Sequence, residues 1–299
     1  MSLAPRAVVI HRRTELDELL ARHGTHGQAA FFLRGRGRSM AEVELRHAAQ
    51  EAALRAVSSA IPVDWRRGAV ERADLARFLF AADDVVVAVG QDGLVANVAK
   101  YLDGQCVVGV NPDPARNPGV LVPHAPDAAG PPILAAAGAA GRRRIEALTM
   151  VEAVSDDGQR LLALNEVFLG QAGHQTARYA LRIPNGRTER QASSGLLVGT
   201  GTGATGWCRS AWLERHSTLA LPRPTDQDLA WFVREAWPSP ATGATLTEGA
   251  LGSGEALRVT VDSDRLVAFG DGVETDALAL TWGQSIEIRA ASRTLHLVR

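Results

Sequence analysis

The first third of the chain alternates short apolar runs with segments whose leucines and alanines recur at helical spacing. Ala7 to Ile10 (AVVI) suits a buried strand, and Thr14 to Arg22 places leucines on one helical face. Ser39 with Glu42 has the form of a capping box, after which Leu45, Ala49, Ala52 and Ala56 fall on one side of a long helix. Ile61 to Trp65 predicts a second strand and Glu71 to Ala81 a further helix. Asp84 to Val89 (DVVVAV) predicts a strand buried on both faces; Leu94 to Leu102 reads as helix and Cys106 to Val110 (CVVGV) as another buried strand. Strands alternating with helices at this spacing imply a parallel, doubly wound, Rossmann-like sheet, on which ligands bind at the carboxyl ends of the strands.

Residues 111 to 141 change character, with seven prolines and an alanine-rich end, and mark the passage to a second domain. The expected division is an α/β nucleotide-binding domain over 1–125 and a β-rich domain over 126–299. In the latter, Leu161 to Leu169, Thr176 to Ile183, Gly195 to Val198, Leu257 to Val261, Leu266 to Phe269, Ala277 to Trp282, Ile286 to Ala290 and Leu295 to Val298 are short strand-like segments. Asp156-Asp157-Gly158 reads as a hairpin turn, and residues 207 to 237, rich in tryptophan, as a helical insert.

At 299 residues the chain is long enough for two domains and a cleft enzyme. Its 32 basic against 33 acidic residues provide no net field to hold nucleic acid or an anionic membrane surface, so neither is an expected partner. No apolar run reaches the roughly 18 residues of a membrane span and no signal-peptide core leads the chain, so a cytoplasmic location is expected. Cys106 and Cys208 lie far apart without metal-ligand spacing, and the histidines show none either, so no metal ligand is assigned.

Three segments carry candidate chemistry. Gly90-Gln91-Asp92-Gly93 joins a buried strand to a helix, where glycines let backbone approach a phosphate and a helix N-terminus offers free N–H groups. A carboxylate at that point would repel phosphate, and suits a base facing an acceptor hydroxyl or a ligand of magnesium; a plain turn with a capping Asp is the alternative. Asn165-Glu166 interrupts the apolar run LLALNEVFL, either to reach a cleft or because the strand lies at an edge. Gly199 to Trp207 (GTGTGATGW) alternates glycine with hydroxyls suited to ribose, base or phosphate, ending in a tryptophan able to stack; a flexible glycine loop is the bland alternative. Arg34, Arg36 and Arg38 read as a solvated loop before a helix.

In this order and spacing the segments resemble the NAD kinases, whose pattern is GGDGT, Gly-Ile-Asn, Asn-Glu, Thr-Pro-Thr-Gly-Ser-Thr-Ala-Tyr and a late Asp-Gly. Here the corresponding residues are Gly90 to Leu94, Gly109-Val110-Asn111, Asn165-Glu166, Thr200 to Trp207 and Asp271-Gly272. GVNPDPARNPGVLV, LNEVFLG and SSGLLVGTGTGATGW resemble the mitochondrial type, with Ser194 where bacterial-type kinases usually carry Asp. Gln91 and Leu94 depart from GGDGT, and Trp207 replaces Tyr. The resemblance implies the NAD kinase-like, diacylglycerol kinase-like fold, with phosphorylation of the adenosine 2′-hydroxyl of NAD by ATP with Mg2+, in a homodimer or higher homo-oligomer. It implies that Asp92 is the base and that Gly90, Gln91 and Gly93 approach the ATP phosphates. Asn111, Asn165, Glu166, Ser194, Thr200, Thr202, Gly203, Thr205, Trp207 and Asp271 would serve the nucleotides. A same-fold kinase with a nucleoside, sugar or lipid acceptor, and a catalytically silent NAD(P)-binding protein, stand as alternatives.

Overall fold

The computed structural model describes residues 4–138 and 144–299, in two compact units: residues 4–138, 144–146 and 296–299, and residues 147–295. The tail of the alanine-rich stretch, 139–143, lies outside the described residues.

The first unit begins with β1 (Arg6–His11), followed by α1 (Glu15–His23), α2 (His26–Arg34) and α3 (Met40–Ala60). It continues through β2 (Arg66–Glu71), β3 (Asp84–Val89), α4 (Asp92–Ala99), β4 (Cys106–Val110) and α5 (Gly130–Ala137). The strands lie in the order β2-β1-β3-β4, all parallel. Val85, Val87 and Val89 meet Ala53 and Val57 of α3 and Ile133 of α5 in one apolar cluster; Val86 and Ala88, equally buried, point to the other face. This double burial is why β3 and β4 read as unbroken apolar runs.

Several expectations for this unit need correction. The second strand is Arg66–Glu71, not Ile61–Trp65: it sits at the sheet edge with only Val70 fully buried, so its sequence carries little apolar signal. Glu71 to Ala81 is a short 3-10 turn over Arg72–Arg77, not a longer helix. Ser39 makes no side-chain cap, whereas Thr14 and Asp17 form a full capping box on α1. The buried face of α3 is Val43, Ala53 and Val57, while Leu45 is 58% exposed; alanines marked several faces alike. The helix α2, packing Ala29 and Leu33 against Leu19 and Val43, was not expected.

The second unit is a sandwich of antiparallel strands. Its elements are β5 (Ile145–Ser155), β6 (Arg160–Ala163), β7 (Glu166–Gly170), β8 (Ala177–Arg182), β9 (Thr188–Ser193), β10 (Gly195–Gly199) and α6 (Trp207–Glu214). They are followed by β11 (Leu229–Arg234), β12 (Glu248–Leu251), β13 (Ala256–Val261), β14 (Arg265–Gly270), β15 (Val273–Thr281) and β16 (Ser285–Val298). One layer runs β12-β11-β10-β7-β14-β15; the other contains β16-β13-β8-β9, with β5 pairing β16 and β6. The last residues of β16 belong to the first unit, where His296 and Leu297 pair in parallel with Cys106 and Val107.

Leu169, Leu196, Val198, Trp231 and Leu280 of the first layer pack with Tyr179, Leu181, Val259, Ile286 and Ile288 of the second. The alternate residues Phe168, Leu197, Ala230 and Phe232 turn to the opposite face, against Cys208 and Ala211 of α6. Strand β11 is therefore apolar at consecutive positions and is not part of a helical insert, which ends at Glu214. The run Leu161 to Leu169 is two strands broken at Leu164 and Asn165, and the last two expected strands are one, β16. Asp156 to Gly158 does turn β5 into β6, with Gly158 at φ 87°. Among the described residues no helix is long and apolar enough to cross a membrane.

Gly109 of β4 lies so close to the following loop that an added Cβ would stand 2.0 Å from the Leu121 carbonyl oxygen and 2.8 Å from Val122 Cα. Both obstacles are backbone, so Gly109→Ala is expected to destabilise by at least about 1–3 kcal/mol. Gly27→Ala in α2, where a Cβ meets nothing within 4 Å, is expected to be neutral or stabilising. Calorimetric melting of both variants checks the contrast; an unchanged Tm for Gly109→Ala removes the packing argument.

Candidate functional site

In the first unit, β3 ends at Val89 and the chain turns through Gly90 and Gln91 into α4. The Gly90 N–H donates to the Val110 carbonyl at 3.0 Å, tying this turn to the end of β4. Gln91 caps the helix through backbone alone and its side chain is exposed. Leu94 is buried beneath the turn, so close that a Cβ on Gly90 would meet its Cδ2 at 3.0 Å. The place of a hydroxyl in the GGDGT pattern is thus taken by an apolar plug. The Leu94 N–H donates to the Gln91 carbonyl at 2.9 Å, whereas the N–H groups of Asp92 and Gly93, ahead of it in the first α4 turn, have no intrahelical acceptor and remain available to an anion.

Those residues border a cavity of about 540 Å³ at the carboxyl ends of the parallel strands. Its wall includes Gly90, Gln91, Gly93 and Asn117 together with Arg12, Arg13, Arg46 and Arg72. The four arginines come from the end of β1, from α3 and from the turn after β2. None was singled out from sequence. Arg12 and Arg13 directly follow the first apolar run, a usable signal; Arg72 was hidden by the misplaced second strand. The arginines of the RGRGR segment have other work: Arg38 pairs with Glu15 at 2.6 Å and Arg36 lies 3.7 Å over the Phe32 ring.

Asp92 is the first residue of α4 but not part of the cavity wall. Its two carboxylate oxygens accept the backbone N–H groups of Val120 at 2.9 Å and Leu121 at 2.8 Å. Asn111, at the end of β4 and 4% exposed, holds the same loop at its start. Its amide donates to the Asn117 carbonyl at 2.6 Å and its oxygen accepts from Asp113 N–H at 3.0 Å. Among the described residues no three His, Cys, Asp or Glu side chains converge as a metal cage.

In the second unit the break between β6 and β7 is held by Asp271. Its carboxylate accepts the N–H groups of Leu164 at 2.8 Å and Asn165 at 2.7 Å, and its own N–H donates to the Glu166 carbonyl at 3.1 Å. Asp271 and Gly272 form the two-residue turn between β14 and β15, both at positive φ. The Asn165 carbonyl in turn accepts from Thr200 N–H at 2.9 Å, and Thr200 Oγ1 donates to the Leu164 carbonyl at 2.6 Å. Gly203 fits because a Cβ there would lie 2.2 Å from the Asn165 oxygen. Asn165, Glu166, Thr200, Thr202, Gly203 and Asp271 are thus brought into one neighbourhood. Thr202 Oγ1 is buried with no hydrogen-bond partner among the described residues.

Glu166, on the α6 face of β7, is 8% exposed. Burial first, and the Asp271 charge second, push its carboxyl up to about 8. Burial and the Glu166 charge likewise raise the Cys208 thiol. Thr205 and Ser194 are exposed, Ser194 in the sharp connection between β9 and β10. Trp207 stacks on Phe168 (5.4 Å between centroids, 17° between planes) with the Arg234 guanidinium 5.3 Å from its ring.

No family's sequence model matches the chain, and no curated protein matches it. Among solved structures it is similar to an NAD kinase from Archaeoglobus fulgidus in complex with ATP, at 16% identity and a TM-score of 0.56. The match covers 98% of this chain and 93% of that one. At that identity the likeness establishes the fold: an NAD kinase-like α/β unit and an antiparallel β unit.

The raised carboxyl of Glu166 sets a sign for stability against pH. A group whose folded value, about 8, exceeds its ordinary 4.5 contributes stability that is complete below the unfolded value and is lost as pH rises through the folded one. Between these limits the wild type is expected to lose about 1.4 kcal/mol per pH unit relative to Glu166→Gln. Paired melting curves across this window check it, and a Tm difference independent of pH would sink it.

Proposed function

We propose that this protein is a phosphotransferase of the NAD kinase type, moving the γ-phosphoryl group of ATP to the adenosine 2′-hydroxyl of NAD. The observation that carries this reading is the arginine-walled cavity at the carboxyl ends of a parallel sheet, bordered by the glycine turn that opens α4. Guanidinium groups and unpaired helix-terminal N–H groups are the partners a polyphosphate needs, and phosphoryl transfer asks for positioning and charge stabilisation more than covalent chemistry. Likeness in fold to an ATP-bound NAD kinase supports the same donor.

Asp92 is the proposed base. Each of its oxygens accepts one backbone N–H and keeps a lone pair for an incoming hydroxyl. The two amide bonds hold the carboxylate in one orientation, which is what general-base catalysis requires of it. In the second unit, the Thr202 hydroxyl, buried without a partner, and the Asn165 side chain, half-buried at the strand break, are the proposed nucleoside contacts. Magnesium fits this chain as an ion carried in on the phosphates, since a carboxylate or two beside substrate oxygens suffices for it; Asp113 borders the cavity and would be the protein contact. Its chemistry there would be neutralisation of phosphate charge.

A second reading, a silent nucleotide-binding protein, is favoured by the bonds that already occupy Asp92 and by Leu94 in place of a hydroxyl. Incubating the protein with Mg2+, ATP and NAD, NADH, nucleoside, sugar and lipid acceptors, read by mass spectrometry, decides between them. Gain of one phosphate on NAD is expected; gain only on another acceptor, or nucleotide binding with no transfer, overturns the assignment. Asp92→Asn is expected to lower transfer by roughly 10²–10⁴-fold. It also turns an amide NH2 toward one of the two loop N–H groups, lowering stability by about 1–3 kcal/mol. Turnover equal to wild type would remove Asp92 from the chemistry.

A further inference from the structure

The four arginines of the first unit's cavity differ in what they face. Arg12 lies 3.6 Å from Glu18, Arg13 lies 3.5 Å from Glu71, and Arg46 lies 2.6 Å from Glu15. Arg72 has no carboxylate partner among the described residues. Its Nε donates at 2.6 Å to the side-chain oxygen of Asn97, a neutral group that is 7% exposed on α4. The bond fixes the guanidinium plane without cancelling its charge, and leaves four of its five N–H donors, those on the two terminal nitrogens, uncommitted. A half-buried cation so fixed beside a cavity is matched by an anion with paired oxygens, because guanidinium binds these in a two-point fork.

We propose that Arg72, oriented by Asn97, grips the non-bridging oxygens of a polyphosphate chain in this cavity and carries more of the phosphate affinity than the other three arginines. The inference rests on the nucleotide-binding reading above and adds to it the residue that selects phosphate. The chain could belong to a nucleoside triphosphate or to a condensed inorganic phosphate, whose oxygens are alike. Asn97 acts as a positioning residue: it touches the guanidinium and holds its orientation.

The test is calorimetric titration of the purified protein with ATP, with inorganic tripolyphosphate and with adenosine. Wild type is expected to bind ATP and tripolyphosphate, and Arg72→Ala to weaken both by roughly 10- to 100-fold with adenosine binding unaltered. Arg72→Lys should restore only part of the affinity, since a point charge lacks the fork. Asn97→Leu, which keeps Arg72 but frees its plane, should fall between wild type and Arg72→Ala. Arg12→Ala, losing a cation already paired, should weaken binding least. If Arg72→Ala does not fold, as shown by its melting curve, Arg72→Lys and Asn97→Leu carry the test. Wild type binding ATP but not tripolyphosphate assigns the grip to a nucleotide's phosphates, and binding both assigns it to phosphate as such. Phosphate affinity within twofold of wild type in the folded Arg72 variants overturns this inference alone. Failure of wild type to bind ATP or tripolyphosphate overturns the nucleotide reading beneath it.

Discussion

One carboxylate capturing two consecutive backbone amides recurs in each unit, and the candidate chemistry depends on it. In the first unit Asp92 holds Val120 and Leu121; in the second Asp271 holds Leu164 and Asn165. Amides in an irregular segment lack the ladder partners a strand supplies, and an ionised carboxylate, with acceptors only, satisfies two of them at once. The exchange runs both ways. The segment is given one conformation, and the acid is given one direction.

This device explains why polar residues stand in otherwise apolar stretches. Asn165 does not interrupt a strand; with Leu164 it occupies the joint between two, Glu166 opens the second of them, and the Asp271 turn closes that joint from the far end of a hairpin. Once the joint is set, the Asn165 carbonyl faces Thr200 and leaves room only for hydrogen at Gly203. The chain order of the motifs is therefore also an order of dependence: turn, joint, then hydroxyl loop. Loss of the Asp271 carboxylate would be felt first in the loop around Thr202 and only then in whatever that loop binds.

Much of this was legible from residue pattern, and the failures have physical causes. Strands β3 and β4 could be read to the residue because burial on both faces enforces continuous valine runs. The same double burial hid β11, since Trp231 serves one face and Phe232 the other, and consecutive apolar residues do not distinguish strand from helix. The edge strand β2, with Val70 its one buried residue, offered little apolar signal. The Gly90 to Gly93 turn and the Asn165-Glu166 pair were visible because glycines and buried charge are costly elsewhere. The cavity arginines were not, because an arginine's meaning depends on what the fold places opposite it: Arg13 meets Glu71 and Arg72 meets Asn97 only after β2 has joined the sheet.

The layer containing β7, β10 and β11 is covered by the sandwich core on one side and by α6 on the other. Its amides are shut away from water by two thicknesses of side chain as well as by their own ladder bonds. Solvent deuterium would reach Leu196 to Val198 and Ala230 to Val233 only when the whole unit comes apart, so the slowest-exchanging protons here should report global unfolding.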